Sequence, residues 1–368
     1  MEFTIERGQF QRALQRAHSV ASSKGPMPIL SNVLLEAKDG SVSVYATNLD
    51  MGLKGRFKAK VTTPGKTTVL AKKLHDIVRE LPEGDVVVKL DDDARCRIIL
   101  GKSKFNLATI DPADFPAFPS YDSASLTPLD GEMLSEMIRK TSFAISQDET
   151  RMTLNGALME VSATKVRMVA TDGHRLAFIE REGAFKVKNP EKTIITKKAI
   201  AELSKLQAEG EEDEVLKFHR HDNHIIFEKG AQVLAIRLIE GAYPNYEQVI
   251  PKEFSGEAKL PVAEFIHALR RVVQLADEKS HMIRFTFTEG KVELLSEGGE
   301  IGEARDEMAI EYSGQEFVVG LNAYYLLDIL NIIGHQEVVL RLQNQLSPVM
   351  VKSPDDPGLI CIVMPMRL

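Results

Sequence analysis

Long apolar runs are missing from this 368-residue chain. No stretch approaches the roughly 20 uninterrupted apolar residues of a membrane-spanning helix. The N-terminus carries Glu2 and Glu6 before any apolar run, so neither an anchor nor a signal peptide is expected. Cysteine is nearly absent. Cys96 and Cys361 are the only two, they lie far apart in strand-like apolar runs, and they suit buried free thiols in a reducing compartment better than a disulfide framework. A cytoplasmic protein is expected. Net positive charge is lacking too, the formal charge being −7. That argues against a nucleic-acid ligand only if charge is spread evenly, because a protein that meets DNA with one surface can be acidic elsewhere.

What the chain does hold is 43% hydrophobic and 27% charged residues, the balance of a globular protein. Its length suits two or three domains. A faint internal repeat with a period near 124 to 125 residues favours three. The segment from Ile29 to Ala37, a turn, and Ser41 to Asn48 resembles Thr153 to Val161, a turn, and Lys165 to Asp172. Both read as two strands joined by a short polar turn. Further on, Thr67 to Val78 matches Lys192 to Leu203 and, more weakly, Glu316 to Leu327, each a strand running into a helix. A helix also precedes each strand pair, marked by Phe10, Ala13, Leu14 and Ala17, by Leu129, Met133, Leu134, Met137 and Ile138, and by Phe265, Ile266, Leu269, Val272 and Val273. The first two repeats end alike, in Phe115-Pro-Ala-Phe-Pro and Tyr243-Pro-Asn-Tyr, which places boundaries near residues 125 and 252.

Catalysis finds little support. Asp172-Gly-His-Arg sets a histidine beside a carboxylate, but adjacency in sequence is not the geometry of a general base, and no Gly-x-Ser-x-Gly nucleophile accompanies it. The segment reads as a turn and strand start that present a peptide-docking surface. His219-Arg-His-Asp-Asn-His224 has alternate histidines, yet Asp222-Asn223 is a turn pair between hairpin arms, so no metal is expected. Gly101-Lys-Ser lacks the earlier glycine of a phosphate loop. The acidic runs at 91–93 and 209–214 read as solvated turns. Basic residues gather on the predicted helices: Arg12 and Arg16, Lys72, Lys73 and Arg79, Arg139, Lys140, Lys197, Lys198 and Lys205, and Arg270 and Arg271. Cations near helix C-termini are favoured without any ligand. Taken together, though, they suit a surface that meets phosphates without reading bases. A non-enzymatic repeat scaffold that binds proteins without DNA is the alternative function, and a metal-dependent hydrolase a distant third.

Over essentially its whole length the sequence resembles the bacterial DNA polymerase III β subunit, the sliding clamp. Ala170-Thr-Asp-Gly-His-Arg-Leu-Ala, the Tyr243-Pro-Asn-Tyr to Val249-Ile-Pro junction, and the C-terminal Val363 to Leu368 carry the resemblance. It implies an α+β chain of three repeated clamp domains (1–125, 126–252 and 253–368), each with two helices packed on antiparallel sheets, and a head-to-tail homodimer closing a six-domain ring. It implies duplex DNA, bound without sequence preference, a replicative polymerase, a clamp loader and other clamp-motif proteins as partners, and neither cofactor nor catalysis.

Site residues follow from the same resemblance. DNA-facing positions are Lys24 and Arg151, with Lys197 and Lys198 from the helical set. Met152 and Thr153 stand where some members have aromatics, which weakens the case for stacking there. The dimer seam would join Lys102, Lys104, Phe105 and Leu107, on an edge strand, to Leu275, Glu297, Glu300 and Glu303. A partner-peptide slot would comprise Leu154, Thr171, Gly173, His174, Arg175, Leu176, Pro244 and Val249, then Asn322, Tyr325, Leu346 and Pro348, and finally Met364, Pro365, Met366, Arg367 and Leu368. Gln248 stands where relatives often carry a basic residue. Arg175 and Arg367 are expected to orient polar groups of the peptide.

Overall fold

A computed structural model describes residues 1–21, 27–91, 93–187, 189–208, 214–297, 299, 302–334 and 336–368. Lys24, Glu300 and most of the acidic run at 209–214 lie outside the described residues. The chain forms two compact units, Met1–Glu132 with Lys198–Leu238, and Met133–Lys197 with Ile239–Leu368.

The first unit is built on one thirteen-stranded sheet. Its strands run in the spatial order Thr127–Leu129, Leu216–His221, His224–Lys229, Gln232–Arg237, Met51–Lys58, Ser41–Thr47, Asn32–Lys38, Gly65–Leu70, Ser103–Ile110, Arg95–Leu100, Asp85–Leu90, Glu2–Glu6 and Lys60–Thr63. The second unit has a nine-stranded sheet ordered Glu191–Thr196, Gly156–Val161, Lys165–Thr171, Arg175–Glu182, Asp356–Val363, Val349–Ser353, Glu337–Leu342, Gly256–Pro261 and Glu311–Ser313. Beside it stands a four-stranded sheet of Glu303–Ala309, Lys291–Glu297, Met282–Thr288 and Phe317–Asn322. The middle repeat therefore contributes strands to both large sheets. Residues Met51 to Gly55 pair with Ile236 to Gln232, and Arg175 to Ile179 pair with Val363 to Leu359.

Among the described residues, six α-helices complete the layers: α1 Arg7–Val20, α2 Ala71–Glu80, α3 Gly131–Thr141, α4 Lys197–Ala208, α5 Val262–Val272 and α6 Ala323–Ile333. In α1, Phe10, Ala13, Leu14 and Ala17 recur at helical spacing and are all buried, the stripe that turns a helix onto its sheet. Glu6 caps α1 by accepting from the Gly8 and Gln9 amides at 2.6 and 2.7 Å, and those bonds hold its carboxyl below the usual range. Leu129 belongs to a strand and not to α3. Asp130 alone separates the two, so the apolar residue preceding the helical stripe serves the sheet. Asp222, at φ 49°, turns the histidine-bearing hairpin. Cys96 and Cys361 are buried and unpaired, and burial pushes both thiols up to about 12.

Candidate functional site

Thr171 to Arg175 forms a tight turn between two strands of the second unit. The Thr171 hydroxyl donates to the Arg175 carbonyl at 2.6 Å and accepts from the Gly173 amide at 3.1 Å. One Asp172 carboxylate oxygen accepts from the His174 and Arg175 amides at 2.9 and 3.0 Å. Gly173 sits at φ 92°, where a Cβ is strained. Asp172 is thus a turn-former and not half of an acid–base pair.

Arg175 is held from several sides. Its guanidinium donates to Asp172 at 3.1 Å, to the Asp328 carboxylate, and to the Phe143 carbonyl at 2.7 Å. It lies 5.3 Å from the Phe143 ring and 4.6 Å from the Tyr325 ring. With its side chain only 11% exposed and three of its five N–H groups engaged, Arg175 positions the surrounding rings. Tyr325 stacks on His174, with ring centroids 6.4 Å apart. Asn322 caps α6, accepting from the Tyr324 and Tyr325 amides at 2.9 and 3.2 Å, and so aims Tyr325. Asp328 and Phe143 escape a sequence reading because nothing local marks them as partners of a residue more than 30 positions away.

The C-terminal tail is held at two points. The Met364 amide donates to the His174 carbonyl at 2.8 Å, and the Met366 amide to the Gly320 carbonyl at 2.8 Å. Gly320 permits this approach, for a Cβ there would stand 3.1 Å from the Met366 carbonyl oxygen and 3.0 Å from a Leu368 methyl. Met364, Pro365 and Met366 are half-buried, and Arg367 and Leu368 are exposed. Leu176 lies in an apolar cluster with Leu158, Val169, Met350 and Ile362, against which Val249 packs. Thr171 is buried, Leu154 and Pro348 are half-buried, Pro244 is exposed, and Leu346 is 81% exposed.

The basic residues divide. Arg16 is buried, and Lys140 is buried against Asp356 and Glu136, each at 2.6 Å. Neither can face a phosphate, so periodicity overestimates the basic surface by those two. Arg79, Arg139, Lys205, Arg270 and Arg271 occupy last turns, where the helix dipole favours cations without a ligand. Lys72 and Lys73 in α2, and Lys197 and Lys198 in α4, occupy first turns. There the dipole opposes them, and amides and ammonium groups together favour an anion. Lys197 donates to Gln147 at 2.6 Å, and Lys198 is exposed. Arg151 is exposed, 3.7 Å from Asp148, and donates to the Asp172 carbonyl at 3.2 Å.

Of the open sheet edges among the described residues, two carry the residues expected at the seam. Ser103 to Ala108 pair with Arg95 to Leu100 on one side, whereas on the other, among the described residues, only Thr109 and Ile110 are paired. Lys102, Lys104 and Phe105 are exposed along that edge and Leu107 is half-buried. In the second unit, Glu303–Ala309 ends the four-stranded sheet, with Glu303 opposite Glu297. Leu275 is half-buried and would lie 3.9 Å from a Cβ at Gly302, next to that edge.

The whole chain is similar to proteins of known role. It matches the N-terminal, central and C-terminal domains of the DNA polymerase III beta subunit over residues 1–119, 128–245 and 247–367. It is 37% identical over 377 residues to the beta sliding clamp of Caulobacter vibrioides and 33% identical over 373 residues to that of Pseudomonas aeruginosa, with 100% of each chain covered. Its fold superposes on the crystal structure of the Pseudomonas aeruginosa DNA polymerase III subunit beta with a TM-score of 0.94 at 32% identity, and on Caulobacter crescentus pol III beta with a TM-score of 0.94 at 37% identity, again over 100% of both chains. The chain belongs to the DNA polymerase III beta subunit family, the beta sliding clamps.

Proposed function

We propose that the Thr171–Leu176 turn, Tyr325 and the tail Met364–Leu368 form the slot through which this sliding clamp holds its partners. The clamp encircles duplex DNA as a homodimeric ring and tethers the polymerase, conferring processivity without bond-breaking chemistry. One observation carries the slot: the tail is pinned by its backbone at Met364 and Met366, yet Leu368 is left 52% exposed. A pinned chain end that presents an uncovered leucine and an exposed Arg367 suits a peptide with apolar anchors and an acidic group. Arg175 acts behind this surface by fixing Tyr325.

Three domains, 1–125, 126–252 and 253–368, fit the repeat. The two open edges support a head-to-tail seam, with Phe105, Leu107 and Leu275 as apolar contacts and Lys102 and Lys104 opposite Glu297 and Glu303 of another copy. First-turn lysines Lys197 and Lys198, with Arg151, support phosphate contacts that ignore base sequence. Deleting Met364–Leu368 tests the slot. Fluorescence anisotropy with a labelled leucine–phenylalanine peptide should show at least a tenfold loss of affinity, while gel filtration still gives a dimer. Undiminished affinity in the truncated dimer refutes it.

A further inference from the structure

The partner slot has a structural twin in the first unit. Thr47 to Met51 repeats the Thr171 to Arg175 turn bond for bond. The Thr47 hydroxyl donates to the Met51 carbonyl at 2.9 Å and accepts from the Leu49 amide at 3.1 Å. The Asn48 side-chain oxygen accepts from the Asp50 and Met51 amides at 3.1 and 2.9 Å. Leu49 takes the left-handed conformation of Gly173, at φ 75°. Even the next contact recurs, since the Arg237 amide donates to the Asp50 carbonyl at 2.8 Å as Met364 does to His174. In both units the linker that lies further along the chain folds back on the sheet. Phe118 and Tyr121 pack on Ile226, Val233 and Ala235, as Tyr243 and Val249 pack on the cluster around Leu176.

Between that linker and the sheet lies a groove of about 960 Å³. Leu49, Met51, Phe115, Pro116 and Phe118 give it apolar walls, and Tyr45, Glu36, Lys54 and Lys66 line it with polar groups. Glu36 is satisfied internally, paired with Lys66 at 3.0 Å and accepting from the Tyr45 hydroxyl at 3.0 Å. Lys54 lies over the Tyr45 ring, 5.4 Å from its centroid, and forms no ion pair among the described residues; it acts on Glu36 through space, and with Lys66 it sets two cations against that one carboxylate in the groove. Leu49 is 46% exposed. A bulky residue at positive φ is strained, and Asp or Asn would sit there more comfortably. An exposed, strained leucine and an excess cation lining one groove are the arrangement that an acidic, apolar peptide complements.

We infer that this groove is a second docking site, which takes a short extended peptide with leucine or phenylalanine anchors next to an acidic residue, Leu49 and Phe118 flanking the anchor and Lys54 meeting the carboxylate. The inference rests on the reading of the Thr171–Leu176 slot, whose turn the groove reproduces. Met51 in place of Arg175 makes the twin the more apolar of the two, so its ligands need not be the same proteins.

Stoichiometry decides it. The dimeric protein is titrated with a fluorescein-labelled Gly-Asp-Leu-Asp-Phe-Gly peptide and compared with Leu49→Asp/Lys54→Glu, with the protein lacking Met364–Leu368, and with the two changes combined. Both substituted side chains reach solvent, and Asp relieves the strain at position 49, so the fold survives. The expected result is two peptides bound per chain in the wild type, one in each altered protein and none in the combination. An unchanged count in Leu49→Asp/Lys54→Glu overturns the groove, as does a wild-type count of one that vanishes with the tail. A count that falls in Leu49→Asp/Lys54→Glu but not on tail removal overturns the slot and keeps the groove.

Discussion

Lys140→Met tests the ionic cluster that anchors one end of the strand Asp356–Val363, whose other end delivers the tail. Lys140 and Asp356 are 7% and 8% exposed and 2.6 Å apart. Arg181 donates to Asp356 at 2.8 Å and to Glu136 at 2.9 Å, and Glu136 also takes Lys140 at 2.6 Å. Two cations therefore balance two carboxylates, and removing the ammonium leaves a net negative charge in a largely buried place. Orphaning a buried charge costs about 3–5 kcal/mol. Arg181 still serves both carboxylates, so we expect the lower end, about 3 kcal/mol. Native-state hydrogen exchange reads this locally, as protection falling roughly a hundredfold in α3 and in Asp356–Val363. Asp356→Asn in the same chain restores neutrality and should recover part of the loss. Acid sharpens the test. Burial alone would raise the Asp356 carboxyl, but hydrogen bonds from Arg181 and Lys140 outweigh it and hold the group below its ordinary range. The Arg181 hydrogen bond is the main cause of the same lowering at Glu136. A carboxyl depressed in the folded state stabilises above its unfolded pKa of about 4 and loses that contribution as pH falls through the folded value. Without Lys140 the loss should set in at higher pH. Protection within twofold of wild type, or costs of the two substitutions that simply add, would refute the cluster as a coupled unit.

Leu275→Asp should give a folded monomer by gel filtration, because the exposed ion pairs of the seam contribute only about 0–1 kcal/mol each and cannot replace the apolar contact; a dimer at sub-micromolar concentration would misplace the seam. Lys197→Glu/Lys198→Glu should weaken DNA association for every sequence alike and flatten its salt dependence, as measured by a salt titration of retention on circular DNA. Gly320→Val should lift the tail off its strand and cost roughly tenfold in peptide affinity, with the dimer intact, a loss worth about 1.4 kcal/mol. Cys96 and Cys361 should resist alkylation at pH 8 in the native protein, since burial keeps both thiols protonated.

Much of this architecture is legible in the residues. Asp222 and Asn223 mark a hairpin because both tolerate the turn, and the α1 stripe from Phe10 to Ala17 marks a helix face because nothing else recurs at that spacing. The Thr171–Arg175 turn is readable for the same reason, since Asp and Gly satisfy its backbone locally. Less can be read where the partner lies far along the chain. Lys140 looks like a surface cation until Asp356 arrives from 216 residues away, and Arg175 looks free until Asp328 and Phe143 close on it. The twin turn at Thr47 is hidden differently. Leu49 and Met51 stand where Gly173 and Arg175 would alert a reader, and only the hydrogen bonds show the two to be the same device.

Because the two large sheets run across the repeat borders, covalent order and sheet order part company. A nick in the stretch between Phe115 and Leu126, or between Ile239 and Ile250, cuts no strand of either large sheet. The severed pieces remain stitched together by the ladders from Met51 to Gly55 and from Arg175 to Ile179. Two polypeptides divided at either place, co-expressed, should therefore assemble a working subunit, with sheet hydrogen bonds doing what the linker does in the intact chain. A molecule assembled this way can accept inserted sequence at its linkers far more readily than at the two borders of its compact units that fall inside helices, one in α3 and one in α4.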